Sequence, residues 1–275
     1  MRRLPLPLAA ALVLCCLAVM NPGSAKGESL MMATTTSTDN TGLLDELAPM
    51  FEQDTGITLK WTAVGTGKAL EMGRNCDVDV LLVHAPPAEQ AFVQNGYGLD
   101  RTEVMYNDFV IIGPESDPAG ISGQNVLEAL ESIRQAKATF ISRGDDSGTN
   151  KKELGLWSEA GGTPPDKASW YLETGQGMLA TIRVAAERSA YTLTDRGTYI
   201  KYSANSESTP MSIVVEGDKA LFNQYSVIAI NQDRCPEVKY DLAKRFIDWI
   251  VSEKTQKAIG EFRLLGKQLF TPNAR

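Results

Sequence analysis

The sequence of 275 residues holds a single histidine, His84, and few cysteines, four in all. One imidazole rules out a histidine-cluster metal centre, and no other ligand stands near His84 at metal spacing. His84 therefore reads as a loop residue. Blocks of basic charge are absent as well: 27 Lys and Arg face 34 Asp and Glu, a net charge of −7. An acidic chain without basic runs is a poor partner for nucleic acid. Internal repeats and low-complexity tracts are missing. Beyond residue 20 there is also no apolar run long enough to span a bilayer.

What is present begins with a leader. Arg2 and Arg3 precede the apolar stretch Leu4 to Met20, and Gly23-Ser24-Ala25 offers a small-residue cleavage site. This is the pattern of an export signal over residues 1–25. The stretch is short and interrupted by Pro5 and Pro7, unlike an anchor. Leu14 and Cys15 are bulkier than the residue a lipid-bearing cysteine usually follows. Removing the leader takes two arginines and no acidic residue, so the net charge falls to −9. It also takes Cys15 and Cys16, leaving Cys76 and Cys235. An even pair in an oxidising compartment points to a structural disulfide, with a thiol or metal site as the alternative. Roughly 250 residues remain, enough for one large domain or two smaller ones.

Three stretches repeat one theme: a strand, a loop of glycines and hydroxyls, then a helix. The first runs from Ser29-Leu30-Met31-Met32-Ala33 through Thr34 to Gly42, and then to Leu43, Leu44, Leu47, Met50 and Phe51 at helical spacing. Five successive hydroxyls at 34–38 exceed what one helix cap needs. The second is a strand over 57–64, then Gly65-Thr66-Gly67-Lys68 and a helix from about Ala69. It is not a nucleotide P-loop, because Thr62 stands where the first glycine belongs and Ala69 where Ser or Thr would hold magnesium. The third is S-R-G-D-D-S-G-T-N-K-K-E at 142–153, after Ala138-Thr139-Phe140-Ile141. Ser147 or Thr149 stands near a helix N-cap, and Gly144 and Gly148 allow close backbone approach. Free N–H groups at a helix N-terminus, with Arg143 beside them, suit an anion. The plain alternative is a capped helix with a surface arginine.

A fourth loop, Thr174-Gly175-Gln176-Gly177-Met178, also precedes a helix, and Gly177 and Met178 offer backbone donors there. Between the loops lie a buried strand at 77–84, a crossing strand at 109–114, a helix at 121–137, strands at 190–196, 211–215 and 225–230, and a last helix at 239–253. Asp195 and Arg196 read as a pair or as a cap for the next segment. The alternation predicts parallel-rich α/β sheets flanked by helices, which bind ligands at the carboxyl ends of strands.

Three motifs, T-T-T-S-T-D-N-T-G-L-L at 34–44, V-G-T-G-K-A-L at 64–70 and the 142–153 stretch, occur together and in order. With them the chain resembles the periplasmic binding proteins of ABC transporters that capture tetrahedral oxyanions, above all the tungstate-binding branch. The resemblance covers the whole mature chain. It implies a type II binding-protein fold of two lobes, 26–112 plus 229–275 and 113–228, with the anion in the cleft between them. Cys76 and Cys235 then fall in one lobe. The implied ligand contacts are the Thr35, Thr36, Ser37 and Thr38 loop, with the inward-facing members left open, then Thr66, Arg143, Ser147, Gly148 and Thr149. The implied function is capture of tungstate in the periplasm by a monomer that delivers it to a membrane permease, with no cofactor and no catalysis. Molybdate, or phosphate and sulfate, are the alternative ligands. Asp145, Asp146 and Asp195 keep phosphate open, since HPO4²⁻ needs an acceptor for its proton. A secreted hydrolase is the distant alternative: Gly144-Asp145-Asp146-Ser147-Gly148 resembles a serine nucleophile loop, but the inserted Asp146 breaks the pattern.

Overall fold

Stretches of period two and period 3.6 alternate along the chain, and in the computed structural model they fold as strands and helices around four buried clusters. The structure describes residues 27–166, 168–205 and 211–274, so the expected leader over 1–25 lies outside the described residues. In chain order the elements are β1 (Ser29–Thr35), α1 (Thr36–Asp39), α2 (Leu43–Thr55), β2 (Thr58–Val64), α3 (Thr66–Arg74), β3 (Val80–Val83), α4 (Pro86–Gln94), β4 (Gly98–Pro114), α5 (Val126–Ala136), β5 (Phe140–Ser142), α6 (Gly148–Gly161) and β6 (Tyr171–Glu173). There follow α7 (Met178–Glu187), β7 (Thr192–Asp195), α8 (Arg196–Ala204), β8 (Met211–Val215), a 3-10 turn (Lys219–Leu221), β9 (Phe222–Ile230), α9 (Tyr240–Ile250), α10 (Glu253–Glu261) and the short β10 (Arg263–Leu264), β11 (Lys267–Gln268) and β12 (Thr271–Pro272).

The main sheet runs β12-β4-β9-β3-β1-β2. The expected parallel pairing is found among β2, β1 and β3. From β9 onward the pairing is antiparallel, because β9 and the 17-residue β4 run as two long opposed strands, from Gly98↔Ile230 to Asp108↔Phe222. β3 throughout, and β1 and β9 toward their carboxyl ends, are buried on both faces, with residues alternating between two clusters. Leu30, Val80 and Val227 pack under α2 and α9 with Phe51 and Phe246, while Ala33, Leu81 and Ile228 pack under α3 and α4 with Leu70 and Phe92. That period-two division is what a central strand requires.

β4 does not stop where its pairing with β9 ends. Its last residues pair with β7 and β8. Phe109 and Ile111 enter a third cluster with Leu130, Phe140 and Trp157, and Val110 and Ile112 a fourth with Ile141, Ile182 and Met211. One strand thus serves cores on both sides of Asp108. Beside it, β5 and β6 pair in parallel and carry the second set of loops.

Several boundaries move for local reasons. The helix expected over 121–137 starts at Val126, because Asn125 accepts the Glu128 N–H at 3.0 Å and caps it, while Asp117 holds the Ile121 and Ser122 amides in a turn. The last helix ends at Ile250, and Ser252 caps a further helix, α10. Asp195 caps α8 through the Thr198 N–H at 2.8 Å, whereas Arg196 turns away to Asp108 and Glu216. Cys76 and Cys235 form the disulfide, with their Cα atoms 5.4 Å apart, and tie the turn after α3 to the loop after β9. Among the described residues no helix is long and apolar enough to cross a membrane.

Candidate functional site

Two groups of loops stand at strand ends. The first follows β1 and β2, whose register pairs Thr35 with Val64, so the Thr35–Thr38 turn and Thr66 leave the same edge of the sheet. Thr35 ends β1 and caps the single turn α1, its hydroxyl accepting the Thr38 N–H at 3.2 Å. That hydroxyl also lies 2.7 Å from the Thr38 hydroxyl and 3.0 Å from that of Ser37. Thr35 and Thr38 are buried, whereas Thr36 and Ser37 are exposed. Thr66 opens α3 and is half-buried, after Gly65, which supplies no side-chain cap.

His84, a loop residue as read from the sequence, also joins this group. It directly follows β3, and the Thr34↔Leu82 register brings it beside the hydroxyl turn. Its Nε2 lies 3.0 Å from the Thr35 hydroxyl and 3.1 Å from the Ser37 hydroxyl. On the other side Nδ1 meets Asn223 Oδ1 at 3.0 Å. Asn223 donates to Asn107 Oδ1 at 2.8 Å, and Asn107 faces the Tyr225 hydroxyl at 3.4 Å. The ring also lies against Tyr225, with centroids 4.6 Å apart. Burial pushes the His84 pKa below its usual value, against the opposing effects of Asn223 and the Asp195 charge. The signal for His84 was its place: the first residue past a strand end, level with Thr36 one strand over.

The second group follows β5 and β6. The Gly175 N–H donates to the Arg143 carbonyl at 2.8 Å and that of Thr174 to the Ser142 carbonyl at 3.0 Å, so the Arg143 loop and the Gly177 loop are laced together. Gly144 has φ +57°, and a Cβ there would stand 2.6 Å from Glu173 Cβ; only glycine fits without a shift. Ser147 is the N-cap of α6, accepting the Asn150 N–H at 3.3 Å, and Gly148 and Thr149 form its first turn. Gly177 is the N-cap residue of α7 and offers no side-chain cap.

Arg143 bonds Asp145 Oδ2 through Nε at 3.1 Å and Nη2 at 2.5 Å. This occupies the Nε/Nη2 edge of the guanidinium and leaves the Nη1/Nη2 edge for a second planar partner. Asp145 also accepts the Ser147 N–H at 3.2 Å. Burial alone would raise the Asp145 pKa, but hydrogen bonds from Ser147 and Arg143 hold it below the usual carboxylate range. Asp146 projects outward and pairs with Lys151 at 3.2 Å. All three aspartates noted in the sequence therefore have partners within the chain.

Beneath this loop lies a buried support that the sequence pattern does not announce. Glu153 accepts from Ser142 at 2.5 Å, Trp157 Nε1 at 3.0 Å and the Tyr171 hydroxyl at 2.7 Å. Ser142 in turn accepts from the Gly144 N–H and from Asn150 Nδ2, both at 3.2 Å. Burial raises the Glu153 pKa to about 7, although its three donors favour the charged form. Among the described residues no group of three or more His, Cys, Asp or Glu is placed to hold a metal cation. What the two loop groups present is N–H and O–H donors with one guanidinium, a set suited to an anion.

The comparisons agree with that chemistry. A family profile described as a PBP superfamily domain matches residues 21–254. The chain is similar to the tungstate-binding protein TupA of Campylobacter jejuni, 54% identical over 240 residues, covering 87% of this chain and 89% of that one. It is similar as well to the tungstate-binding protein TupA of Peptoclostridium acidaminophilum, at 49% identity with 91% and 87% covered. Among solved structures, the tungstate binding protein TupA from Desulfovibrio alaskensis G20 superposes with a TM-score of 0.89 at 63% identity, covering 90% of this chain and all of that one.

Proposed function

The chain belongs to the PBP superfamily, and from that premise we propose that it binds tungstate outside the cytoplasm and delivers it to an ABC import permease. The relatives that carry the tungstate name support the ligand. The observation that carries the reading is the donor balance: hydroxyls and helix N-termini gather at the strand ends, while Asp145, Asp146 and Asp195 are held by Arg143, Lys151 and Thr198. Tungstate has four oxygens and, unprotonated, no proton to give, so it needs donors and no acceptor. Phosphate as HPO4²⁻ would also need an acceptor turned toward its proton.

Burying a dianion is costly unless donors replace its water almost completely. The Thr35–Thr38 turn and Thr66 would supply one half of the shell. The N–H groups at Gly148, Thr149 and Gly177, beside Ser147 and with the open edge of Arg143, would supply the other. On the pairing of β4 with β9, the lobes would exchange between Asp108 and Phe109 and between Leu221 and Phe222, about four and seven residues before the positions expected from the sequence. Bending at these crossings would close the two halves on the anion and offer the permease a changed surface. No bond is made or broken, and the protein works as a monomer.

Calorimetric titration of desalted protein with tungstate, molybdate, sulfate and phosphate tests the ligand. Tungstate is expected to bind tightest. Preference for phosphate or sulfate, or sustained ester hydrolysis lost in Ser147→Ala, would overturn the reading.

A further inference from the structure

Hydrogen-bond direction at His84 can be read from its neighbours. Asn223 uses its amide nitrogen on Asn107, and Asn107 turns its own toward the Tyr225 hydroxyl. The oxygen of Asn223 therefore faces the ring, and Nδ1 must carry a proton to donate to it. A neutral ring then has its lone pair on Nε2, and that lone pair is filled by a hydroxyl proton from Thr35 or Ser37. An oxyanion without protons needs those same hydroxyl protons. Ring and ligand thus compete for them.

We propose, on the basis of the function given above, that His84 is a positioning residue of the oxyanion site, and that binding draws one proton from solvent onto Nε2. The imidazolium then donates to the Thr35 and Ser37 oxygens, and the hydroxyl protons turn toward the anion. The proton is gained by the ring and by no oxygen of the ligand. The charged groups around the ring are consistent with this exchange. Asp195, from the end of β7, favours the imidazolium. Glu89 of α4, which accepts the N–H of neighbouring Ala85, is balanced by Arg101 at 3.0 Å. Asp39 of α1 is held by Trp61 at 2.7 Å. Asn107, Asn223 and Tyr225 on β4 and β9 carry no charge at neutral pH, the Tyr225 phenol being pushed further up by burial. In the free protein burial keeps the ring neutral; a bound dianion beside the turn supplies the missing opposite charge.

The test is calorimetric titration of untagged protein with sodium tungstate, repeated in buffers of different ionisation enthalpy. Uptake of about one proton per tungstate is expected near neutral pH, with affinity falling up to about tenfold per pH unit above it. His84→Gln should abolish the uptake and flatten that slope. Binding without proton uptake, or unchanged uptake in His84→Gln, overturns the inference while leaving the function intact. Absence of any tungstate binding overturns both. A second measurement needs no variant. His84 is the one histidine in the chain, so ring-¹⁵N-histidine protein gives a single imidazole. Its spectrum should change from the neutral Nδ1–H form to a doubly protonated ring when tungstate is added. A ring that stays neutral in the complex refutes the proposal.

Discussion

Replacing Arg143 tests the second half of the proposed shell. In Arg143→Gln two effects add. A charge-assisted contact to the anion is lost, worth about 1.5–3 kcal/mol. In addition Asp145, whose side chain is only 20% exposed, loses the guanidinium at 2.5 Å that neutralises it. An uncompensated carboxylate then faces a dianion. The sum is on the order of 2–4 kcal/mol, or roughly 30- to 1000-fold in affinity. Arg143→Lys keeps a charge beside Asp145 but loses the planar edge, so it should lose less affinity while shifting the tungstate-to-molybdate ratio. Asp145→Asn in the Arg143→Gln background should recover part of the loss, and the double-mutant cycle measures that part. The assay is competition calorimetry with both oxyanions. If Arg143→Gln binds both ions like the parent, Arg143 only holds its own loop. If Arg143→Lys loses both equally, the fork does not discriminate.

The same geometry makes other perturbations informative. Glu153 stays protonated in the folded state up to about pH 7 but ionises in the unfolded chain near the ordinary carboxylate value, so its contribution should weaken as pH rises between the two. Chemical denaturation across that window should show this slope, on the order of 3 kcal/mol at most, and Glu153→Gln should remove it; an unchanged slope would place the effect elsewhere. Gly144→Ala puts a methyl against Glu173 at a left-handed φ and should weaken tungstate binding more than it lowers Tm; equal binding would show that the loop can shift freely. Replacing Cys76 and Cys235 by serine opens a link across 159 residues and should cost roughly 2–5 kcal/mol, read as a lower denaturant midpoint, with free thiols absent from the native parent by mass spectrometry.

Much of the fold and of the candidate loops is legible in the sequence where local rules act alone. The hydroxyl runs, the glycine loops and the Ser147 cap follow from what a strand-to-helix turn requires, and the cysteine pair from its isolation. The first half of β4 is not legible, because Asp100, Arg101, Glu103, Asn107 and Asp108 carry no apolar alternation; that segment is a strand because β9 pairs with it. α10 escapes notice because its apolar side is sparse, with Thr255 and Ile259 as its buried residues. His84 and Glu153 are hidden for another reason. A histidine after a strand and a glutamate within a helix look ordinary until partners distant in sequence, Asn223 for one and Tyr171 for the other, fix their roles.

In the proposed function, tungstate sits between the Thr35–Thr38 turn and the Arg143–Thr149 loop. Crystals grown with tungstate, measured across the tungsten absorption edge, locate the metal by its anomalous signal without assumptions about the ligand. One strong peak is predicted, within hydrogen-bonding reach, through its oxygens, of Ser37 or Thr38, Thr66, Arg143 and the amides of Gly148 and Thr149. A peak elsewhere on the chain, with both loops unoccupied, would contradict this placement.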